Sequence, residues 1–291
     1  MTKVSQIKCS RLKSYSIDLI SNPCPLCPNG KFIDIKRHCH NIIRFFNSEH
    51  PYDGNPSADW FQLASGITDV RYVSDMFNDE IISCGPGIDY EHSKSKFHSI
   101  LITELTRFSF IWSGLESILN DYKLPKYVGG QDGKIKRLNY FLTKHYLEKH
   151  PIPKGYIETV EFLKLLLGYT EGNESPSFFI ADKNCSQEIV GIKAVYKIRN
   201  LFAHGSLKFN EPEEYHYSKK NGLVRPLDID IIQTSSRIVL LTLQMLLTLL
   251  PTNLNFIVTK QHEYLSGRGI NALLFLQNMH LKDFEKKSRY V

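Results

Sequence analysis

The sequence predicts a mainly α-helical protein: a bundle of four to five long helices behind a small N-terminal module with a candidate zinc knuckle. Three observations carry this. Phe97, Leu101, Leu105, Phe108, Trp112, Leu115 and Leu119 recur at three- and four-residue steps over about six turns of helix. A second apolar run, Ile238 to Leu250, reads as a buried core helix. It is shorter than the ~20 residues that a bilayer span takes. Near the start, Cys24-Pro25-Leu26-Cys27 precedes Arg37-His38-Cys39-His40, a separation that zinc knuckles use.

Composition narrows the class. The 291 residues suffice for one large domain or two modest ones, and 42% hydrophobic content is ordinary for a chain with a proper core. A formal net charge of +6 suits a polyanionic partner such as RNA, although many enzymes without one are as basic. Six cysteines in a chain of this length do not make a disulfide scaffold, and Met1-Thr2-Lys3-Val4-Ser5-Gln6 has no apolar core of signal-peptide type. A reducing cytoplasm is the expected location, and no membrane partner is expected.

Taken in order, residues 1–92 read as the N-terminal module and 93–291 as a helical domain with a C-terminal extension. In the module, two thiolates on a tight turn fill two tetrahedral positions and a following helix, Asp34 to Asn47, returns two more ligands. Phe32, Ile35, Ile42, Ile43 and Phe46 supply its small core. Cys24, Cys27, Cys39 and His40 make the candidate metal set, with His38 or His50 as alternatives for the fourth position. Arg44 stands where a regular two-Cys, two-His finger would carry its second helical His. The zinc is expected to be structural. Residues 48 to 95 read as an irregular connection, with Trp60-Phe61-Gln62-Leu63 and Val70-Arg71-Tyr72-Val73 as short strands or a strand and a turn.

Long helices follow from Glu91. Asp132 to Glu148 is the second, ended by Pro151 and Pro153. Tyr156 to Leu167 is a shorter third, and Gly168 to Ser186 is a polar loop. Ser186 to His204 comes next, then a polar segment at Asn210 to Pro226 and a last core helix from Asp228 to Leu250. A strand-like piece around Phe256-Ile257-Val258 and a helix from Ile270 to Lys287 close the chain.

The stretch Lys197-Ile198-Arg199-Asn200-Leu201-Phe202-Ala203-His204-Gly205 gathers the chemistry. Ala194, Val195, Ile198, Leu201 and Phe202 form an apolar stripe, while Asn200 and His204, four apart, face the same way with Arg199 beside them. Gly205 follows where a helix commonly ends in a left-handed glycine. A guanidinium, an amide and an imidazole meet at a helix C-terminus, where the macrodipole favours cations.

An arginine, a polar residue directly after it and a histidine five positions past the arginine, within a helix, resemble the motif of HEPN-domain ribonucleases. Among these the chain looks most like the ApeA-like group of bacterial defence proteins. Arg107-Phe108-Ser109-Phe110-Ile111-Trp112-Ser113-Gly114-Leu115-Glu116 is similar to that group's first helix, where a small residue, Leu and Glu follow an aromatic-rich run. The resemblance spans roughly Phe97 to Leu250. It implies a HEPN-type bundle, catalytic roles for Arg199, Asn200 and His204, and Glu116 as a partner that orients Arg199. It also implies a homodimer in which two such motifs line one groove.

The chemistry is consistent with that implication. Metal-free RNA cleavage must deprotonate the 2′-hydroxyl, stabilise an anionic phosphorane and protonate the departing 5′-oxygen. Imidazole suits the proton transfers and a guanidinium fork suits the phosphorane. The expected products carry a 2′,3′-cyclic phosphate and a 5′-hydroxyl, with no cofactor needed for the reaction. Host or phage RNA, tRNA included, is the expected substrate of a toxin or defence effector under some trigger or inhibitor. Ser206 stands where some HEPN toxins carry the tyrosine that a partner nucleotidyltransferase modifies, so that control is not expected. Two other classes fit the same residues: a non-catalytic RNA-binding or assembly module, and a zinc-stabilised interaction protein. Tyr215-His216-Tyr217 and Lys134-Ile135-Lys136-Arg137 are further candidates for contact with RNA, each also explained as ordinary surface.

Overall fold

A computed structural model describes residues 31–49, 55–74, 85–170, 177–204, 227–250, 254–259 and 269–287. The most apolar stretch of the chain forms its central post, α7 (Leu227–Leu249). Every side chain from Ile229 to Thr248 except Gln233 is buried. A helix covered on all sides is a core element rather than a surface one. Its Ile229–Leu249 portion is long and apolar enough to cross a bilayer, and 94% of that apolar window is buried inside the protein.

The mainly helical class is as expected. Around α7 pack α1 (Ile35–Glu49), α3 (Gly85–Asp121), α5 (Tyr156–Thr170), α6 (Gly191–Ala203) and α8 (Ala272–Asn278). α2 (Pro56–Gly66) lies between α1 and α3, and α4 (Lys134–His145) against α6. One apolar core runs from Cys39 to Met279 and takes in Ile42, Phe46 and Phe61 from α1 and α2. The boundary expected at residue 92 falls inside α3, and α1 and α2 belong to that same core.

Two sequence readings of the 48–95 region are corrected. Trp60-Phe61-Gln62-Leu63 is helical, inside α2, not a strand. Asn55 caps that helix by accepting from the Ser57 amide at 2.9 Å, and Pro56 occupies its first turn, where a missing N–H costs nothing. At the other end, the buried Arg107 guanidinium reaches across from α3 to donate to the Ala64 and Ile67 carbonyls while pairing with Glu104. Where α2 meets α3, the Phe61 ring sits over Gly114, and a Cβ there would come within 2.5 Å of it.

Val70 to Val73 belongs to no sheet or helix, and Ser74 lies in a turn. Alternate amides of this segment donate to hydroxyls along α3: Val70 to Thr103 at 2.8 Å, Tyr72 to Ser99 at 2.9 Å and Ser74 to Ser95 at 3.0 Å. Two extended residues advance about 6.6 Å and four helical residues about 6 Å, so the two periods match. Serine and threonine at every fourth position turn a helix surface into a ladder for such a segment.

The C-terminal region returns to α1. Strands β1 (Ile257–Thr259) and β2 (Gly269–Asn271) pair antiparallel, so the single helix expected from Ile270 is instead β2, then α8, then α9 (Lys282–Lys287). Asn271 caps α8 by accepting from Leu274 N at 3.2 Å. Phe32 bridges Leu281, Ile33 N donates to the His280 carbonyl at 3.0 Å, and Asn41 donates to the Met279 carbonyl at 2.8 Å. Beneath them lies a fully buried polar cluster. Arg237 donates to His38 Nδ1 at 2.7 Å and to the Ile33 carbonyl, with its guanidinium 5.0 Å from the Phe32 ring centre. His280 Nε2 meets the Lys154 carbonyl at 3.0 Å and its Nδ1 meets the Gln244 amide at 3.1 Å. A carbonyl can only accept, so His280 carries its proton on Nε2. Burial holds both histidines neutral: His280 is pulled down to about 4, and His38 well below its usual value.

Candidate active site

The helix that carries the Arg–Asn–His motif is positioned from its start. Ser186 caps the short 3-10 turn at Gln187–Ile189 by accepting from Glu188 N at 3.1 Å, and its own amide donates to Thr143 at 2.9 Å. Gly191 then opens α6 against α5, where a Cβ would come within 2.5 Å of Val160. Ile192, Ala194, Val195 and Ile198 are buried toward α7, which fixes what faces outward.

The outward face holds Lys193, Tyr196, Lys197, Asn200 and His204, at three- and four-residue steps. Lys197 and His204 are exposed and Asn200 is half-buried. Arg199 lies to one side, half-buried, and donates from Nη1 to Asn200 Oδ1 at 3.4 Å. His204 ends the helix as its C-cap, with its amide donating to the Asn200 carbonyl at 3.0 Å. Arg199 and Asn200 are thus in contact, and the imidazole projects one turn further along the same face.

Glu116 belongs to a different arrangement. Its Oε1 accepts from the Trp112 indole at 2.8 Å, and Trp112 stacks on Tyr196 of α6 with ring centres 6.1 Å apart and planes 20° from parallel. Among the described residues no ion pair joins Glu116 to Arg199.

Beside this face opens a cleft of about 640 Å³, within the range of ligand-sized pockets. The end of α3, the start of α4, the chain around Phe178 and the first half of α6 enclose it. Its walls carry Lys134, Lys136, Lys193, Lys197, Tyr196 and Glu116. Two of its carboxylates are neutralised in place: Asp132 by Arg137, which holds it down at about 2, and Asp182 by Lys193 at 3.0 Å. Lys134 donates to Asn120 Oδ1 at 2.7 Å and Lys136 to the Gln131 carbonyl at 3.1 Å, so neither is bound to a carboxylate. The cleft is cationic on the side toward α4.

No family model matches the chain, and comparison with curated proteins and with solved structures finds no match.

The expected metal ligands are divided. Cys24, Cys27 and His50 lie outside the described residues, as do Gly205, Ser206 and Tyr215-His216-Tyr217. Cys39 is buried in the core on α1, and burial pushes its thiol up to about 12. A thiolate there would require a cation against it. His40 is half-buried one position on. Among the described residues, no group of three or more His, Cys, Asp or Glu gathers as metal ligands do.

Sequence reasoning singled out the motif and missed its extension. Tyr196 and Lys197 sit on the same helical stripe as Asn200 and His204, so a helical wheel drawn one turn further back would have included them. The basic run at Lys134 stands out in the sequence, but only the fold reveals that it faces α6 across a cleft.

Proposed function

We propose that the chain is a metal-independent endoribonuclease of the HEPN type, cleaving RNA by attack of the 2′-hydroxyl on the adjacent phosphate. The observation that carries this reading is the outward face of α6. It presents Asn200 and His204 beside Arg199 and continues into a lysine-bearing cleft. In the proposed reaction His204 moves the protons, Arg199 donates to the phosphorane oxygens and Asn200 orients the guanidinium or the phosphate. One Arg and one His are a sparse set, so we read the working unit as a homodimer with Arg199, Asn200 and His204 of both chains lining one groove. The resemblance supplies the setting, a toxin or anti-phage effector with tRNA as one candidate substrate.

End-group analysis tests the reaction. Fragments made by the purified protein should resist 3′-end ligation until a phosphatase acting on cyclic phosphates has treated them, and should accept a 5′-phosphate from a kinase directly. Free 3′-hydroxyls and 5′-phosphates would contradict it.

A non-catalytic RNA-binding module is the second reading. It is favoured by Glu116, which the indole of Trp112 engages in place of Arg199. We also read Cys24, Cys27, Cys39 and His40 as a structural zinc set, on the strength of their spacing. One zinc per chain by elemental analysis is the expected result; a metal-free chain with an unchanged melting temperature would remove it.

A further inference from the structure

The cleft beside the motif has features that cleavage chemistry does not require. Proton transfer and phosphorane stabilisation need only the residues at the end of α6, yet the same helix face carries an aromatic ring and a lysine one turn earlier. Tyr196 is 38% exposed and lines the cleft, and its ring stacks on Trp112, which is 3% exposed. The ring is therefore held flat by a buried support while one surface stays open to the cleft. Phe178 lines the same cleft. Across from them stand Lys134 and Lys136, bound to neutral oxygens, and Lys197 has no ion-pair partner among the described residues.

This combination is the one by which proteins hold unpaired nucleotides. Every base offers a π-face to an aromatic side chain, while lysines follow the phosphates without reading sequence. The spacing also fits. Tyr196 precedes Asn200 by four residues and His204 by eight, about 6 and 12 Å along the helix. The first distance is comparable with one phosphate-to-phosphate step of a strand and the second with two. We propose that the cleft seats an unpaired nucleotide of the RNA strand, flanking the scissile phosphate, with its base on Tyr196 and its phosphates against Lys134, Lys136 and Lys197. This rests on the proposed RNA substrate and makes the substrate class single-stranded RNA or a loop, not a continuous duplex.

The test uses full-length His204→Ala protein, so that bound RNA is not consumed, and three probes: a fluorescein-labelled single-stranded 10-mer RNA, the same sequence as a blunt duplex, and AMP as competitor. Tyr196→Ala is expected to weaken single-strand binding about tenfold, and Tyr196→Phe to restore it, because the ring and not the hydroxyl is used. Lys136→Glu with Lys197→Glu should lower the salt dependence by about 0.7 in log–log slope for each phosphate no longer neutralised. Melting temperatures verify that the variants are folded.

Single-strand binding unmoved by all of these substitutions overturns the seat. So does equal binding of the duplex that depends on the lysines but not on Tyr196. AMP that displaces the 10-mer at comparable affinity would mark a free-nucleotide pocket, which also overturns the strand seat. The two readings separate cleanly. A wild-type protein that does not cut, while its binding depends on Tyr196, removes the nuclease and keeps the seat. Cutting together with unmoved binding does the reverse.

Discussion

The Trp112 indole donates to Glu116 across one helical turn at 2.8 Å, and that bond fixes both the wall of the cleft and the ring on which Tyr196 rests. The carboxylate therefore serves as an acceptor for a buried N–H, at the position where the family resemblance implies a partner for Arg199. Glu116→Gln keeps an acceptor and should alter stability by no more than about 0.5 kcal/mol. Glu116→Leu leaves the indole unsatisfied and should cost about 1–2 kcal/mol in urea unfolding. Equal losses in the two variants would show that the charge, not the acceptor, matters there.

Gly114 is where the Phe61 ring of α2 packs against the backbone of α3. Gly114→Ala drives a Cβ into the Phe61 ring and should destabilise the protein by about 1–3 kcal/mol, despite alanine's better helix propensity. Adding Phe61→Leu to that variant should recover part of the loss, since a smaller side chain makes room. An additive double variant in the same unfolding experiment would show that the two sites do not meet.

The buried histidines make stability pH-dependent. His280, at about 4 in the folded chain and near 6.5 unfolded, binds fewer protons when folded between those values, and His38 is shifted in the same direction. Their contribution is complete above pH 6.5 and is lost as pH falls toward 4, at about 1.4 kcal/mol per pH unit for each histidine. Unfolding free energies measured from pH 7 to pH 4 should show that slope, and His280→Gln should reduce it. A flat profile would mean that neither histidine is buried neutral.

The ladder along α3 gives a local prediction. Ser99→Ala removes the acceptor for the Tyr72 amide and should cost about 1 kcal/mol, with faster hydrogen exchange at Tyr72 and its neighbours than elsewhere. Uniform exchange across the chain would contradict the ladder.

The long helices were legible because each keeps an apolar stripe at helical period for three or more turns. Trp60-Phe61-Gln62-Leu63 was not, because four mixed residues fit either period. The decisive signal was the Asn55-Pro56 start, which marks a helix by its cap. The run at Val70 was recognisable as non-helical, but its partner was not: nothing in sequence says that such a segment will bond to hydroxyls of a distant helix. For the candidate site, the shared face of Asn200 and His204, with Arg199 beside it, could be read from their spacing along one helix. The ten residues from Arg107 to Glu116 looked like a single motif, and the fold divides them. Arg107 caps α2, Gly114 admits Phe61, and Trp112 with Glu116 faces α6. The cleft was invisible because Lys134 and Tyr196 are far apart in the chain and meet only through the packing of α4 on α6.

The central claim is that Arg199 and His204 cut RNA. The most direct test is incubation of total RNA and a tRNA pool with purified wild type, Arg199→Ala and His204→Ala in EDTA. The account predicts metal-independent cutting by the wild type, abolished by either substitution in a chain that still melts normally. Cutting that survives both substitutions, or a wild-type dimer that leaves every RNA intact, would contradict it.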